Sequence, residues 1–114
     1  MDHRIETVVN SIEDDITRAS SVSKIAQSLN LSVSYFQHLF KREMKMSFTS
    51  FVRECKLQKA CLLLKTTHLQ LNEITYQLGC GDETNFIRTF KRKFNETPIN
   101  YRKNFRNHTF LNNR

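Results

Sequence analysis

Apolar residues recur at helical spacing along almost the whole chain, in blocks separated by short polar breaks. Ile5, Val8, Val9, Ile12 and Ile16 predict an amphipathic helix over residues 3–18. After a polar break at 18–21, Val22, Ile25, Ala26 and Leu29 predict a short helix over 22–29. Residues 30–32 make a tight connection, and Ser32 is placed to cap a helix from Val33 to about Glu43. Its apolar positions are Tyr35, Phe36, Leu39 and Phe40, of which Phe36 and Phe40 can bury its inner face. Ser47 can cap the next helix, which runs from Phe48 to about Lys65 and is roughly 27 Å long. Phe48, Phe51, Val52 and Cys55 form one stripe on it; Leu57, Ala60, Cys61 and Leu64 form a second, starting roughly 200° further round. One helix with two stripes serves two cores, so this element is expected to link two subdomains.

The second half repeats the rhythm. Beyond a polar break at 66–70, Asn72 is placed to cap a short helix ending near Leu78, where Gly79 offers the positive φ that a helix end favours. Asp82 can cap a helix running to about Phe94, with Phe86, Ile87, Phe90 and Phe94 as apolar candidates. Thr97 before Pro98 is a cap and first-turn signature for a last helix to about Asn107, and the polar residues 108–114 are expected to fray. Two Gly and one Pro are too few for the tight turns of an all-β protein. The expected fold is therefore all-α: about seven helices in two helix-turn-helix subdomains (3–46 and 66–107) joined by a linker helix (47–65).

The halves are related by a fixed offset. Phe36, Phe40, Lys41 and Arg42 recur fifty positions later as Phe86, Phe90, Lys91 and Arg92, and Ser47 and Phe51 recur as Thr97 and Tyr101. Ile25 and Leu29 recur at an offset of 49, as Ile74 and Leu78, so the second copy carries one extra residue in its turn at 79–82. A duplicated unit of short helix, tight turn and basic second helix is what DNA-binding modules look like, because the major groove admits one α-helix and the preceding helix fixes its angle. A pair of helical hairpins acting as a protein–protein adaptor is the alternative, and it leaves the placement of the bases unexplained.

Charge sharpens this. The chain carries a net +7. Residues 1–30 hold five acids against three bases, whereas residues 31–114 hold fifteen bases against six acids. A basic bulk points to a polyanion, nucleic acid or membrane surface. The bases cluster at the ends of the second helices rather than along one amphipathic face, which disfavours a membrane surface. The Phe residues fall on inward stripes, which disfavours RNA base stacking. No apolar run approaches the length of a membrane span, and no signal peptide opens the chain. Cys55, Cys61 and Cys80 have no metal-ligand spacing and suit small buried hydrophobes in a reducing cytoplasm. His3, His38, His68 and His108 sit on different elements, and no paired carboxylates, nucleophile–base pair or Gly-rich phosphate loop appears. Neither an enzyme, a metal site nor a cofactor is expected.

The residues from Ile74 to Arg102, I-T-Y-Q-L-G-C-G-D-E-T-N-F-I-R-T-F-K-R-K-F-N-E-T-P-I-N-Y-R, closely resemble the signature of the AraC/XylS family of bacterial transcription regulators. The stretch K-I-A-Q-S-L-N-L-S-V-S-Y-F-Q-H-L-F-K-R-E resembles the first helix-turn-helix of that family, and the likeness spans roughly residues 5–107. There are departures. Thr75 stands where the family usually has Ala, Cys80 replaces an aromatic, and Lys45 and Asn95 occupy positions where Gly is common.

The resemblance places base-reading side chains at Ser34, Gln37 and His38 in the first module and at Glu83, Thr84, Ile87 and Arg88 in the second. Gln suits adenine, Arg guanine and Glu the cytosine amine. Ile87 fits either a thymine methyl or the core, and His38 either a base contact, which is favoured, or a plain surface histidine. Lys41, Arg42, Lys91, Arg92 and Lys93 at the recognition-helix ends, with Arg102 and Lys103 on the last helix, form the expected phosphate set, about half of which is expected to touch phosphate. The turns at 22–24 and 47–49 add backbone N–H donors, while Lys56 and Lys59 are expected to face solvent. The resemblance also implies double-stranded promoter or operator DNA and RNA polymerase as partners, with activation the common outcome. This segment is expected to be a monomer, dimeric only through a further domain, and an excised C-terminal domain is favoured over a naturally short regulator.

Overall fold

The computed structural model describes the backbone of residues 1–112 and the side chains of residues 1–107. Seven α-helices and one 3-10 turn make up the described residues, with no strand among them. They are α1 (His3–Asp14), the 3-10 turn Ile16–Ala19, α2 (Val22–Ser28), α3 (Val33–Met44), α4 (Phe48–Thr66), α5 (Leu71–Leu78), α6 (Glu83–Phe94) and α7 (Pro98–Asn112). The chain divides into two compact units, Met1–Lys56 and Leu57–Arg114, and the boundary falls inside α4. No helix among the described residues is long and apolar enough to cross a membrane.

In the first unit, Ile5, Val8 and Ile12 of α1, Ala26 of α2, and Phe36, Leu39 and Phe40 of α3 are buried with Phe48 and Phe51 of α4. The aromatic rings form the centre. Phe36 and Phe40 meet Phe48 edge-on, at 5.4 and 5.3 Å between centroids, and Phe40 lies 5.4 Å from Phe51. These tilted and edge-to-face geometries are the favoured ones for aromatic pairs. The expected first helix is cut short: α1 stops at Asp14, because Asp15 turns extended and caps the 3-10 turn through a hydrogen bond from the Thr17 amide. Tyr35, one of the apolar positions of α3, is 46% exposed, with its hydroxyl beside the Arg4 guanidinium.

The second unit repeats the plan. Leu57, Ala60, Cys61 and Leu64 of α4 are buried with Leu71, Ile74 and Leu78 of α5, Phe86 and Phe90 of α6, and Pro98 of α7. Phe90 packs on Phe94 at 4.6 Å and on Tyr101 at 5.6 Å, the latter edge-on. Thr75 is buried, and its hydroxyl is satisfied by the Asn72 carbonyl. The cap of α5 is Gln70 rather than Asn72: the Gln70 amide donates to the Glu73 carboxylate at 3.1 Å, and the helix starts at Leu71, ahead of the expected cap. The last helix continues past Asn107 to Asn112. The expected fraying of 108–114 concerns side chains, and beyond 112 also backbone, that lie outside the described residues.

The fifty-residue repeat is visible in the helix ends. Ser32 and Asp82 cap the two second helices through hydrogen bonds from the Tyr35 and Thr84 amides. The first helices both end with a paired turn: Leu31 N–H to the Ala26 carbonyl and Cys80 N–H to the Thr75 carbonyl, each at 2.9 Å. Asn30 and Gly79 take the left-handed position in these turns, at φ 59° and 65°. The extra residue of the second copy is Gly81, itself left-handed at φ 70°. It follows the completed turn, so it lengthens the connection without disturbing the helix end.

Candidate nucleic-acid interface

Each second helix is held by its aromatic side and shows the opposite side to solvent. Phe36 and Phe40 bury one face of α3; Phe86 and Phe90 bury the matching face of α6. At 3.6 residues per turn, Ser34, Gln37, His38 and Lys41 share the other face of α3. Fifty residues on, Thr84, Ile87, Arg88 and Lys91 share the same face of α6. All eight are exposed except Ile87, which is half-buried and so presents part of its side chain outward. Glu83 is also half-buried, at the first position of α6, where a carboxylate favours the helix dipole. The structure thus brings together Ser34, Gln37 and His38 on one helix, and Thr84, Ile87 and Arg88 on another, with Glu83 at the latter's start.

The cationic residues sort differently. Lys41, Arg42, Lys91, Arg92 and Lys93 are exposed in the last turns of α3 and α6, and Lys103 is exposed on α7. Arg102 is a correction to the expected phosphate set. Its guanidinium turns inward, donating from Nε to the Leu64 carbonyl at 3.0 Å and from Nη2 to the Thr67 carbonyl at 3.2 Å. Arg106 adds a second donor to Thr67, at 3.0 Å. Together they cap the end of α4, whose final carbonyls have no intrahelical partner. Burial, with Arg106 nearby, lowers the pKa of Arg102 from its ordinary value. Nothing in the sequence distinguishes this arginine from its neighbours except its place in the helix period. Lys56 and Lys59, expected to face solvent, are half-buried on α4.

In the first unit the outer face of α3 runs into an open groove of about 370 Å³, lined by Gln37, His38 and Lys41 and by Ser47, Phe48 and Thr49 at the start of α4. Ser47 accepts from the Ser50 amide at 3.1 Å. The amides of Phe48 and Thr49, at the first two positions of the helix, have no intrahelical acceptor. At the equivalent start of α7, Thr97 accepts from the Asn100 amide at 3.2 Å, but Pro98 has no N–H to offer. The backbone donors of the two units are therefore unequal.

The two turns that follow α3 and α6 use residues other than glycine. Lys45 and Asn95 both sit at φ 63°, in the left-handed region, and their amides close the helices on the Lys41 and Lys91 carbonyls. Asn tolerates this conformation better than Lys.

Residues 25–104 match the family described as a helix-turn-helix domain. The chain belongs to the AraC/XylS family of helix-turn-helix transcription regulators. It is 33% identical over 101 residues to the HTH-type transcriptional regulator MtrA of Neisseria gonorrhoeae, covering 89% of this chain and 32% of MtrA. Among solved structures, it resembles the C-terminal domain of the two-component response regulator yesN of Fusobacterium nucleatum, at 31% identity and a TM-score of 0.71, covering 86% of this chain and 93% of that one. The DNA-binding domain of the global transcriptional factor AdpA, solved with a target DNA, shares the fold at a TM-score of 0.82 and 18% identity, covering 91% of this chain and 94% of that one. The chain spans about a third of the length of MtrA and of several other relatives it matches.

Proposed function

We propose that this domain reads a specific double-stranded DNA sequence with α3 and α6, each laid in a segment of major groove, and so regulates transcription. The observation that supports this most strongly is the repeated outer face. Two helices, each fixed to its own core by a pair of phenylalanines, present outer faces in the same register fifty residues apart, polar at every position but Ile87. That is the arrangement groove reading needs: a rigid inner face for aim and a free outer face for base edges.

The roles follow from side-chain chemistry. Gln37 pairs with adenine and Arg88 with guanine, each by two hydrogen bonds, while Glu83 accepts from a cytosine amine. Ile87 contacts a thymine methyl with its outward part. Ser34, Thr84 and His38 complete the two sets. Lys41, Arg42, Lys91, Arg92, Lys93 and Lys103 hold phosphates and fix register. The α4 groove adds the Phe48 and Thr49 amides to the hold on the first half-site. Arg102 is left out of the interface, since its donors are committed to α4. The DNA complex of the AdpA domain and the naming of MtrA as a transcriptional regulator support DNA-binding regulation as the function. In this reading the segment binds as a monomer in the cytoplasm of a bacterium and activates transcription with RNA polymerase.

Selection of bound duplexes from a random pool tests the assignment. The expected result is an enriched site with two blocks of preferred bases, bound with an affinity that falls by orders of magnitude from about 50 to 200 mM salt. An unenriched pool, or binding indifferent to salt, would instead favour a protein–protein adaptor.

A further inference from the structure

The two units are built on one plan but differ sharply in charge. Residues 1–56 hold eight Lys and Arg against seven Asp and Glu, a net +1; residues 57–114 hold ten against four, a net +6. The same contrast holds on the recognition helices themselves. On α3, Lys41 and Arg42 are set against Glu43; on α6, Arg88, Lys91, Arg92 and Lys93 are set against Glu83. Glu43 is fixed near the basic end of α3 by accepting a hydrogen bond from the Asp2 amide at 3.0 Å. Local charge matters most here, because salt screens beyond about 8 Å under physiological conditions.

Beside Lys41 and Arg42, the first unit offers donors of another kind. Its groove sets one lysine, Lys41, and His38 beside the Gln37 side chain, the Ser47 and Thr49 hydroxyls and the helix-start amides of Phe48 and Thr49. Neutral donors release no counterions and reward only a phosphate in the right place. The second unit has Pro98 where an amide would stand and relies on cations, which attract any duplex.

We propose that the units divide the work of DNA binding: residues 57–114 supply the sequence-independent electrostatic hold, and residues 1–56 engage only when a matching sequence is presented. This rests on the DNA-binding assignment above. On non-specific DNA the second unit is seated and the first is not. Discrimination between correct and incorrect duplexes then arises mainly from the first unit, since its engagement adds both its base contacts and its phosphate contacts in one step.

Two measurements test this, using a duplex selected from a random pool and a shuffled duplex of equal length and composition, each titrated across about 50–200 mM salt. The first compares the equivalent pairs Lys41→Ala/Arg42→Ala and Lys91→Ala/Arg92→Ala. The second pair is expected to flatten the log–log salt slope by about two on both duplexes. The first pair is expected to do so on the selected duplex and to change the shuffled slope by well under one. The second measurement needs no variant: each half of the selected site is shuffled in turn. Shuffling the half read by α3 is expected to flatten the slope, while shuffling the half read by α6, identified by the base preference lost in Arg88→Ala, leaves the slope steep. Equal effects of the two pairs on the shuffled duplex, or equal slopes for the two half-shuffled sites, overturn the division of labour. Absence of salt-dependent binding to every duplex would overturn the DNA-binding assignment itself, and the inference with it.

Discussion

The Arg102 guanidinium donates from Nε to the Leu64 carbonyl at 3.0 Å, tying the last described helix to the end of α4. Its Nη2 reaches the Thr67 carbonyl as well, so one planar side chain satisfies two carbonyls that the helix leaves open. Removing it leaves the Leu64 carbonyl without this donor and Thr67 with Arg106 alone, which costs roughly 1–3 kcal/mol. Arg102→Ala is therefore expected to lower the melting temperature by several degrees. Arg102→Lys should recover little, because an ammonium cannot span both carbonyls as the fork does. The salt slope of DNA binding should stay as in the parent, and a slope flattened by about one would return Arg102 to the phosphate set.

A gain in stability is available after α3. Lys45 sits at φ 63°, a conformation that costs a residue with a Cβ roughly 1–2 kcal/mol. Glycine removes that cost but adds freedom to the unfolded chain, about 0.5–1 kcal/mol in the opposite direction. Lys45→Gly should stabilise by a few tenths to about 1 kcal/mol in urea unfolding. Asn95→Gly, at the same φ, should gain less because asparagine already tolerates it. If Lys45→Gly proves destabilising, the side chain of Lys45 contributes contacts that outweigh its backbone strain.

Much of this architecture can be read from residue spacing. Helices carry a 3.6-residue period and caps carry short polar side chains, so Ser32, Asp82 and Thr97 stand out as caps from residue type and position alone. The two stripes of α4 appear because its halves are buried in different units. Of the features that were not legible, three have a plain physical reason. Asp15 breaks the first helix although Ile16 keeps the apolar rhythm, since a capping carboxylate competes with the helix and hydrophobic spacing does not register it. Tyr35 looks like core by composition, yet its hydroxyl favours the Arg4 guanidinium at the surface. Arg102 looks like its exposed neighbour Lys103, and only the tertiary position of the α4 end turns it inward. The outer faces of α3 and α6 were legible because they are the complement of the phenylalanine stripes.

Alkaline stability should report the setting of Tyr101. Burial, with the Cys61 thiol beside it, pushes its hydroxyl up to about 12 from an ordinary value of 10.0. The folded state therefore favours the neutral phenol. Its contribution is fully present below pH 10 and is lost as pH rises from 10 towards 12. Tyr101→Phe cannot ionise, so the melting temperature of the parent should fall more steeply than that of the variant across this window. Lysine titration affects both proteins alike and cancels in the difference. Parallel curves would mean that the hydroxyl ionises as freely in the folded state as in the unfolded chain.

The last prediction separates reading from holding within one helix. Arg88 and Lys91 are three residues apart on the outer face of α6, and both are exposed. Arg88 is aimed at a base edge, so Arg88→Ala should cost about 1–3 kcal/mol on the selected site and relax preference at one position. Lys91, one turn nearer the helix end, is aimed at phosphate. Lys91→Ala should weaken binding to every sequence alike and flatten the salt slope by about one. The pair of results is more informative than either alone, because loss of folding would weaken all binding and relax no single position. If Arg88→Ala weakened selected and shuffled duplexes equally, Arg88 would join the phosphate contacts and base reading by α6 would fall to Thr84, Ile87 and Glu83.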